Sequence, residues 1–146
     1  MRAARQEELE PMVALLRLLF AIEADFRFDA ARQRRGLGLL LQDDRARVLV
    51  ARVNGRVVGM CTGQVVISTA EGGPALLVED VVVAPDHRGQ GIGRALLKEA
   101  ERRARSSGAA RIELPSGSQR TEAHAFYRAC GYSDGTVRFV KPLGSA

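Results

Sequence analysis

Between Val83 and Leu96 the chain reads Ala84-Pro85-Asp86-His87-Arg88-Gly89-Gln90-Gly91-Ile92-Gly93-Arg94-Ala95. Residues of these types at this spacing suit an anion. Glycine at positions 89, 91 and 93 lets the backbone take positive φ and approach a ligand closely. The helix predicted to follow opens with N–H groups that have no partner within it, and these donors at the positive end of the helix dipole favour a phosphate. Arg88 and Arg94 add full charges beside them. A Walker loop needs Gly-Lys-Ser/Thr so that Lys and the Mg²⁺ ligand reach the terminal phosphates, whereas Gly93 is followed here by Arg94-Ala95. A dinucleotide fingerprint places G-x-G-x-x-G directly after a strand. This chain has G-x-G-x-G, set off from its strand by Pro85 to Arg88, although Glu113 could imitate the acidic ribose contact and keeps that reading open.

Two further places could move protons. Glu79 and Asp80 sit in Leu76-Leu77-Val78-Glu79-Asp80-Val81-Val82-Val83, an otherwise apolar strand in which a buried carboxylate is costly unless it is paired or used. Side chains alternate along a strand, so Glu79 is expected with Val81 and Val83, and Asp80 on the opposite face. Tyr127 follows Phe126 in a helical stretch. Its phenol, with an ordinary pKa of ~10, stays protonated at neutral pH and can donate. Packing in the core is the alternative use, and Phe126 suits that better. His124 reads as an ordinary helix residue.

The elements that must position these residues follow from periodicity. Met1 to Ala4 can form a short strand, and Pro11 lies near the start of a helix whose stripe of Val13, Leu16, Leu19 and Phe20 runs to Ile22. A second helix is expected from Ala30 to Leu41, weakened by Gly36 and Gly38. Asn54-Gly55 is a two-residue hairpin signal joining Val48–Val53 to Val57–Cys61 and on to Ile67, with Gly63 marking a bulge. A third strand, Ala75 to Val83, completes an antiparallel meander. Leu96, Leu97, Ala100 and Ala104 line the next helix, which stops near Gly108. The strand Arg111–Leu114 then returns parallel to Ala75–Val83, as a βαβ unit requires. A helix from Thr121 to Cys130 and a strand from Thr136 to Val140 end the chain.

At 146 residues, 46% of them hydrophobic, one domain with a true core is expected. No apolar run approaches the ~20 residues of a membrane span, and Glu7-Glu8-Leu9-Glu10 does not suit a secretory leader, so a soluble cytoplasmic protein with no membrane partner is expected. Cys61 and Cys130 lack metal-ligand spacing and read as reduced, largely buried thiols, and no metal is expected. The net charge is +5 and the pI near 10.0. Glu99 and Glu101 nevertheless interleave with Arg94, Lys98, Arg102, Arg103 and Arg105, and no aromatic platform accompanies them, so no nucleic-acid partner is expected.

Arg88-Gly89-Gln90-Gly91-Ile92-Gly93 resembles the Arg/Gln-x-x-Gly-x-Gly/Ala loop of the GNAT-type N-acetyltransferases, and Phe126-Tyr127-Arg128-Ala129-Cys130-Gly131-Tyr132 resembles that family's Phe-Tyr-x-x-x-Gly-Phe/Tyr signature. The likeness runs from about Val53 to the C-terminus. It implies an α/β fold, a mixed and mostly antiparallel sheet flanked by helices on both faces with a splayed central pair of strands, and transfer of acetyl from acetyl-CoA to a primary amine by direct attack in a ternary complex. Val81, Val82 and Val83 would pair with the pantetheine arm, the pyrophosphate would fall on Gly89, Gln90, Gly91, Ile92, Gly93 and Arg94 with Arg88 beside it, and Tyr127 would protonate the departing thiolate. Arg120 stands where the family usually carries an Asn, and its guanidinium could meet a CoA phosphate instead. Spermidine/spermine N-acetyltransferases have a similar Leu-Glu-Asp followed by an apolar pair ending in Val, and the likeness continues into Gly131-Tyr132-Ser133-Asp134. Glu79 would then accept the ammonium proton, with Asp80 or water as open alternatives. Glu23, Asp25 and Asp29 fall in the region that borders the amine entrance of this fold and would attract a small cationic acceptor. The competing reading is a non-catalytic acyl-CoA or nucleotide sensor. A homodimer is the default for so small an enzyme.

Overall fold

Val48, Leu49, Val50 and Ala51 are all buried, so consecutive side chains find a core on either side of their strand. The sheet they belong to is covered on both faces in a computed structural model, which describes residues 1–22, 27–114, 121–135 and 139–144. Strands β2 (Ala46–Val53), β3 (Arg56–Ser68) and β4 (Gly73–Val83) form the expected antiparallel meander. The β2–β3 turn takes positive φ at Asn54 (52°) and Gly55 (78°), as a tight hairpin requires. β1 (Arg2–Ala3) adds antiparallel to β2, and β5 (Ile112–Glu113) adds parallel to β4, giving the order β1-β2-β3-β4-β5.

One face is covered by α1 (Leu9–Ile22) and α2 (Ala30–Leu41), whose Met12, Leu16, Leu19 and Leu37 pack with Val48, Val50, Met60 and Val82. The other face receives α3 (Ile92–Ser106) through Leu96, Ala100 and Ala104, against Leu49, Ala51, Cys61, Leu76 and Val78. α2 runs unbroken through Gly36 and Gly38, because Leu37 between them is anchored in the core and the Asp29 carboxylate caps its start, accepting from the Ala31 and Arg32 N–H groups at 3.1 and 3.3 Å. Cys61 is buried and Cys130 half-buried, both as free thiols.

The residues divide into two compact units, Met1–Leu114 and Pro115–Ala146. The second contains α4 (Thr121–Ala129). Of the expected last strand, Thr136, Val137 and Arg138 lie outside the described residues, and Phe139 and Val140 are exposed without regular structure. Among the described residues no helix is long and apolar enough to cross a membrane.

The strand alternation expected through Glu79 and Asp80 holds for Asp80, which takes the face opposite Val81 and Val83, but breaks at Glu79. Thr62 faces Asp80 while the next residue, Gly63, faces Val78, so Glu79 is an extra residue on β4. The bulge anticipated at Gly63 therefore belongs to the partner strand. It reverses the phase of β4, and Leu76 and Val78 share the α3 face with Val81 and Val83. Val82 and, by alternation, Asp80 lie on the α1/α2 face, whereas Glu79 is exposed.

A buried carboxylate ties the first strand to this frame. Glu8, only 5% exposed, accepts two bonds from the Arg2 guanidinium at 2.9 and 2.7 Å and one from the Arg5 N–H at 2.9 Å, with Arg52 at 3.7 Å. Burial alone would raise its pKa, but the Arg2 and Arg5 hydrogen bonds and the Arg2 and Arg52 charges together hold it below the ordinary 4.5. Its contribution to stability is therefore fully present above 4.5 and lost as the pH falls through the lower folded-state value. Glu8→Gln is expected to cost about 3 kcal/mol at neutral pH, where Arg2 loses its counter-charge. In urea titrations at several pH values, that difference from the parent protein should shrink on acidification below 4.5.

Candidate active site

A splay is expected between a central pair of strands; among the described residues the pair that parts is β4 and β5, with β5 last in the sheet order. β5 meets β4 only at Leu76↔Ile112 and Leu77↔Glu113, and among the described residues β4 beyond Leu77 pairs with β3 alone. At the far end the Ala84 N–H donates to the Val58 carbonyl at 2.7 Å. The register from Val83↔Gly59 back to Asp80↔Thr62 is one for one, so Val82 and Asp80 spend their backbone groups on β3. Val81 and Val83, out of phase with them, direct N–H and C=O to the side away from β3. An extended ligand arm can complete such an edge as an added strand. Arg88 already touches it, its Nε donating to the Val83 carbonyl at 3.0 Å, which leaves the two terminal nitrogens of the guanidinium for other partners.

The glycine loop follows directly. After a 3-10 turn at Pro85–His87, φ is 75° at Gly89 and 82° at Gly91. Gly91 is the N-cap of α3 and no side chain caps the helix. The first turn closes with Ala95 N–H on the Gly91 carbonyl at 3.0 Å, so Ile92 and Gly93 contribute opening N–H groups that the helix cannot use. The Ile92 side chain packs into the α3 core, so only its backbone could serve an anion. Gln90 and Arg94 are exposed. Close packing fixes where the loop sits: a Cβ on Gly59 would lie 3.2 Å from Ile92 Cγ2 and from Leu96 Cδ1, so bare backbone on β3 lets the first turns of α3 seat fully. Further along α3, Arg102 and Arg103 hold the Glu99 carboxyl at about 2, and Arg105 reaches Glu101 at 4.0 Å, so much of the basic face is paired within the helix.

In the second unit, Tyr127 is half-buried, with its ring 5.5 Å from Phe126 and 6.3 Å, edge-on, from Tyr132. The chain leaves α4 at Gly131, and the Tyr132 N–H returns to the Tyr127 carbonyl at 3.0 Å. The Phe-Tyr-x-x-x-Gly-Tyr pattern is thus a helix ending that folds one tyrosine onto the other. Arg128 braces the exit through two bonds of 3.1 Å to Asp134.

Glu23 and Asp25, expected to draw in the acceptor, and Arg120, expected at a CoA phosphate, lie outside the described residues. Asp29, read with the same acidic stretch, is the cap of α2. Sequence reasoning did not single out Thr62, whose hydroxyl donates to Asp80 Oδ2 at 2.5 Å. A lone threonine in an apolar strand carries no signal of its own, and only the pairing register finds its partner.

The model of the acetyltransferase (GNAT) family matches residues 12–132. The chain belongs to that family. An aminoalkylphosphonate N-acetyltransferase of Salmonella typhimurium is 34% identical over 143 residues, covering 98% of this chain and 90% of the relative. An aminoglycoside N(6')-acetyltransferase of Stenotrophomonas maltophilia is 29% identical, covering 71% of each chain. The fold of an aminoglycoside 6'-N-acetyltransferase of Acinetobacter haemolyticus superposes with a TM-score of 0.80 at 20% identity over 98% of both chains. As a GNAT enzyme this protein is an acetyl-CoA-dependent N-acetyltransferase. Gly91→Ala forces a side chain onto a φ of 82°. The variant should lose about 1–2 kcal/mol in denaturant titrations, because an L side chain rarely adopts that conformation.

Proposed function

We propose that this GNAT enzyme acetylates the primary amine of a small cationic or zwitterionic acceptor by direct attack within a ternary complex. The observation that carries the reading is the parted β4 edge running into an uncapped helix start. On this reading the pantetheine amides pair with Val81–Val83, and the pyrophosphate takes the Gly89–Gly93 backbone with Arg88 and Arg94. Acetyl-CoA is thereby laid along the strand with its thioester toward Glu79 and Asp80. Glu79 accepts the ammonium proton, directly or through water, and its exposed place on the bulge supports that assignment. Tyr127 is the proton donor to the thiolate, on the strength of its motif. Arg120 meets a CoA phosphate, and Glu23 and Asp25 draw the acceptor in by charge. The family match crosses the boundary between the two units, which supports reading the whole chain as one catalytic domain.

The relatives' names speak for a small amine: one is called an aminoalkylphosphonate and another an aminoglycoside acetyltransferase. Thiol release from acetyl-CoA should be measured across aminoalkylphosphonates, aminoglycosides, polyamines, amino acids and peptides. Turnover is expected with at least one of the first three classes. Tyr127→Phe should lower kcat by roughly 10²-fold while leaving acetyl-CoA affinity unchanged. A parent protein that binds CoA yet releases thiol with no amine would instead make it a sensor.

A further inference from the structure

Two polar or charged residues are buried among the described residues, Glu8 and Thr62. Glu8 is accounted for by its arginines. Thr62, at 1% exposure, occupies an inward β3 position beside Met60, where valine would fill nearly the same space without a hydroxyl to satisfy. That hydroxyl is directed across the ladder to Asp80, its register partner, at 2.5 Å. An ionised carboxylate only accepts, so the threonine proton is committed to Asp80. The half-buried Asp80 is the first residue after the bulge and precedes Val81, where the open strand edge begins. Burial first, and the Asp80 charge second, push the Cys61 thiol up to about 12, so that cysteine is no rival nucleophile or base.

We propose that the Asp80 carboxylate receives the acceptor's reacting nitrogen and that Thr62 is the positioning residue that aims it. The proposal rests on the active-site reading above and gives the second carboxylate of the pair a role of its own. As the neutral amine attacks the thioester carbon, the C–N bond forms and positive charge develops on nitrogen. A carboxylate fixed beside that nitrogen accepts one of its N–H bonds, turns the lone pair toward the carbon and offsets the new charge. The C–S bond then breaks, its electron pair leaves on sulfur, the nitrogen gives up one proton to become the amide, and the thiolate takes up one. Overall, an ammonium and acetyl-CoA yield an amide, free CoA thiol and one proton, which the exposed Glu79 passes to solvent. Without the Thr62 hydroxyl, the Asp80 carboxylate loses the bond that fixes its direction across the ladder.

The full-length protein, with whichever acceptor gives the highest turnover, tests this through Asp80→Asn, Thr62→Val and Thr62→Ser. Asp80→Asn should lower kcat/KM for the amine by roughly 10²-fold or more, with acetyl-CoA affinity held within about threefold. Thr62→Val should lower it about tenfold and move the acid limb of the kcat profile to higher pH, whereas Thr62→Ser, which keeps the hydroxyl, should stay near the parent in both. In the Asp80→Asn background, Thr62→Val should add little. A purely structural threonine would predict changed melting temperatures with an unmoved pH profile, and that result overturns the proposal. So does an Asp80→Asn enzyme with near-parent kcat/KM, which would leave the acetyltransferase reading standing. A parent protein inactive toward every amine overturns both.

Discussion

Every backbone N–H and C=O that a strand directs away from its neighbour must find a partner or face water. β4 meets that requirement on one side through β3, except at the bulge residue Glu79, and on the other, among the described residues, through β5 at Leu76 and Leu77 alone. Everything else in the first unit is arranged around the stretch that follows. Since β3 consumes the backbone groups of Asp80 and Val82, those of Val81 and Val83 are left at a rigid, extended and apolar-backed edge. A ligand arm with alternating donors and acceptors can occupy such an edge at small conformational cost, because the strand is already held in place by the sheet.

The two faces of the sheet divide the work of holding that edge. α3 is pressed onto β3 where Gly59 removes the obstacle, and this sets the position of the opening N–H groups relative to the end of β4. α1 and α2 close the opposite face, and there the bulge delivers Asp80 to Thr62. Had β4 kept strict alternation from Leu76, Asp80 would have shared the α3 face, since the extra residue is what brings Val81 there instead. A single inserted residue thus separates the carboxylates from the apolar valines on which they border.

The positive balance of the chain is less free than its pI suggests. Glu8 gathers Arg2 and Arg52, Glu99 gathers Arg102 and Arg103, Glu10 takes Arg34, and Arg128 is held by Asp134. The exposed pairs among these contribute little to stability individually. The buried one is different, because Glu8 fastens β1 and the entry to α1 onto the β2–β3 end of the sheet.

Much of this was legible in the residues themselves. The hairpin at Asn54-Gly55, the buried face of α3, the parallel return of β5 and the glycine-opened helix start all follow from preferences within a few residues of each position, and the two motifs pointed to the family. Glu8 and Thr62 were not legible, nor was the true place of the bulge. Gly63 signalled an irregularity, but whether the extra residue lay on β3 or β4 depends on how two strands far apart in sequence are slid against each other. The sequence by itself therefore determined which elements form and what ligand chemistry their junction suits, since those depend on local backbone freedom and side-chain type. Only the tertiary structure decided which carboxylate is exposed and which is tied to a buried hydroxyl, because register is a property of the packed sheet and one residue of slip exchanges the two faces of a strand.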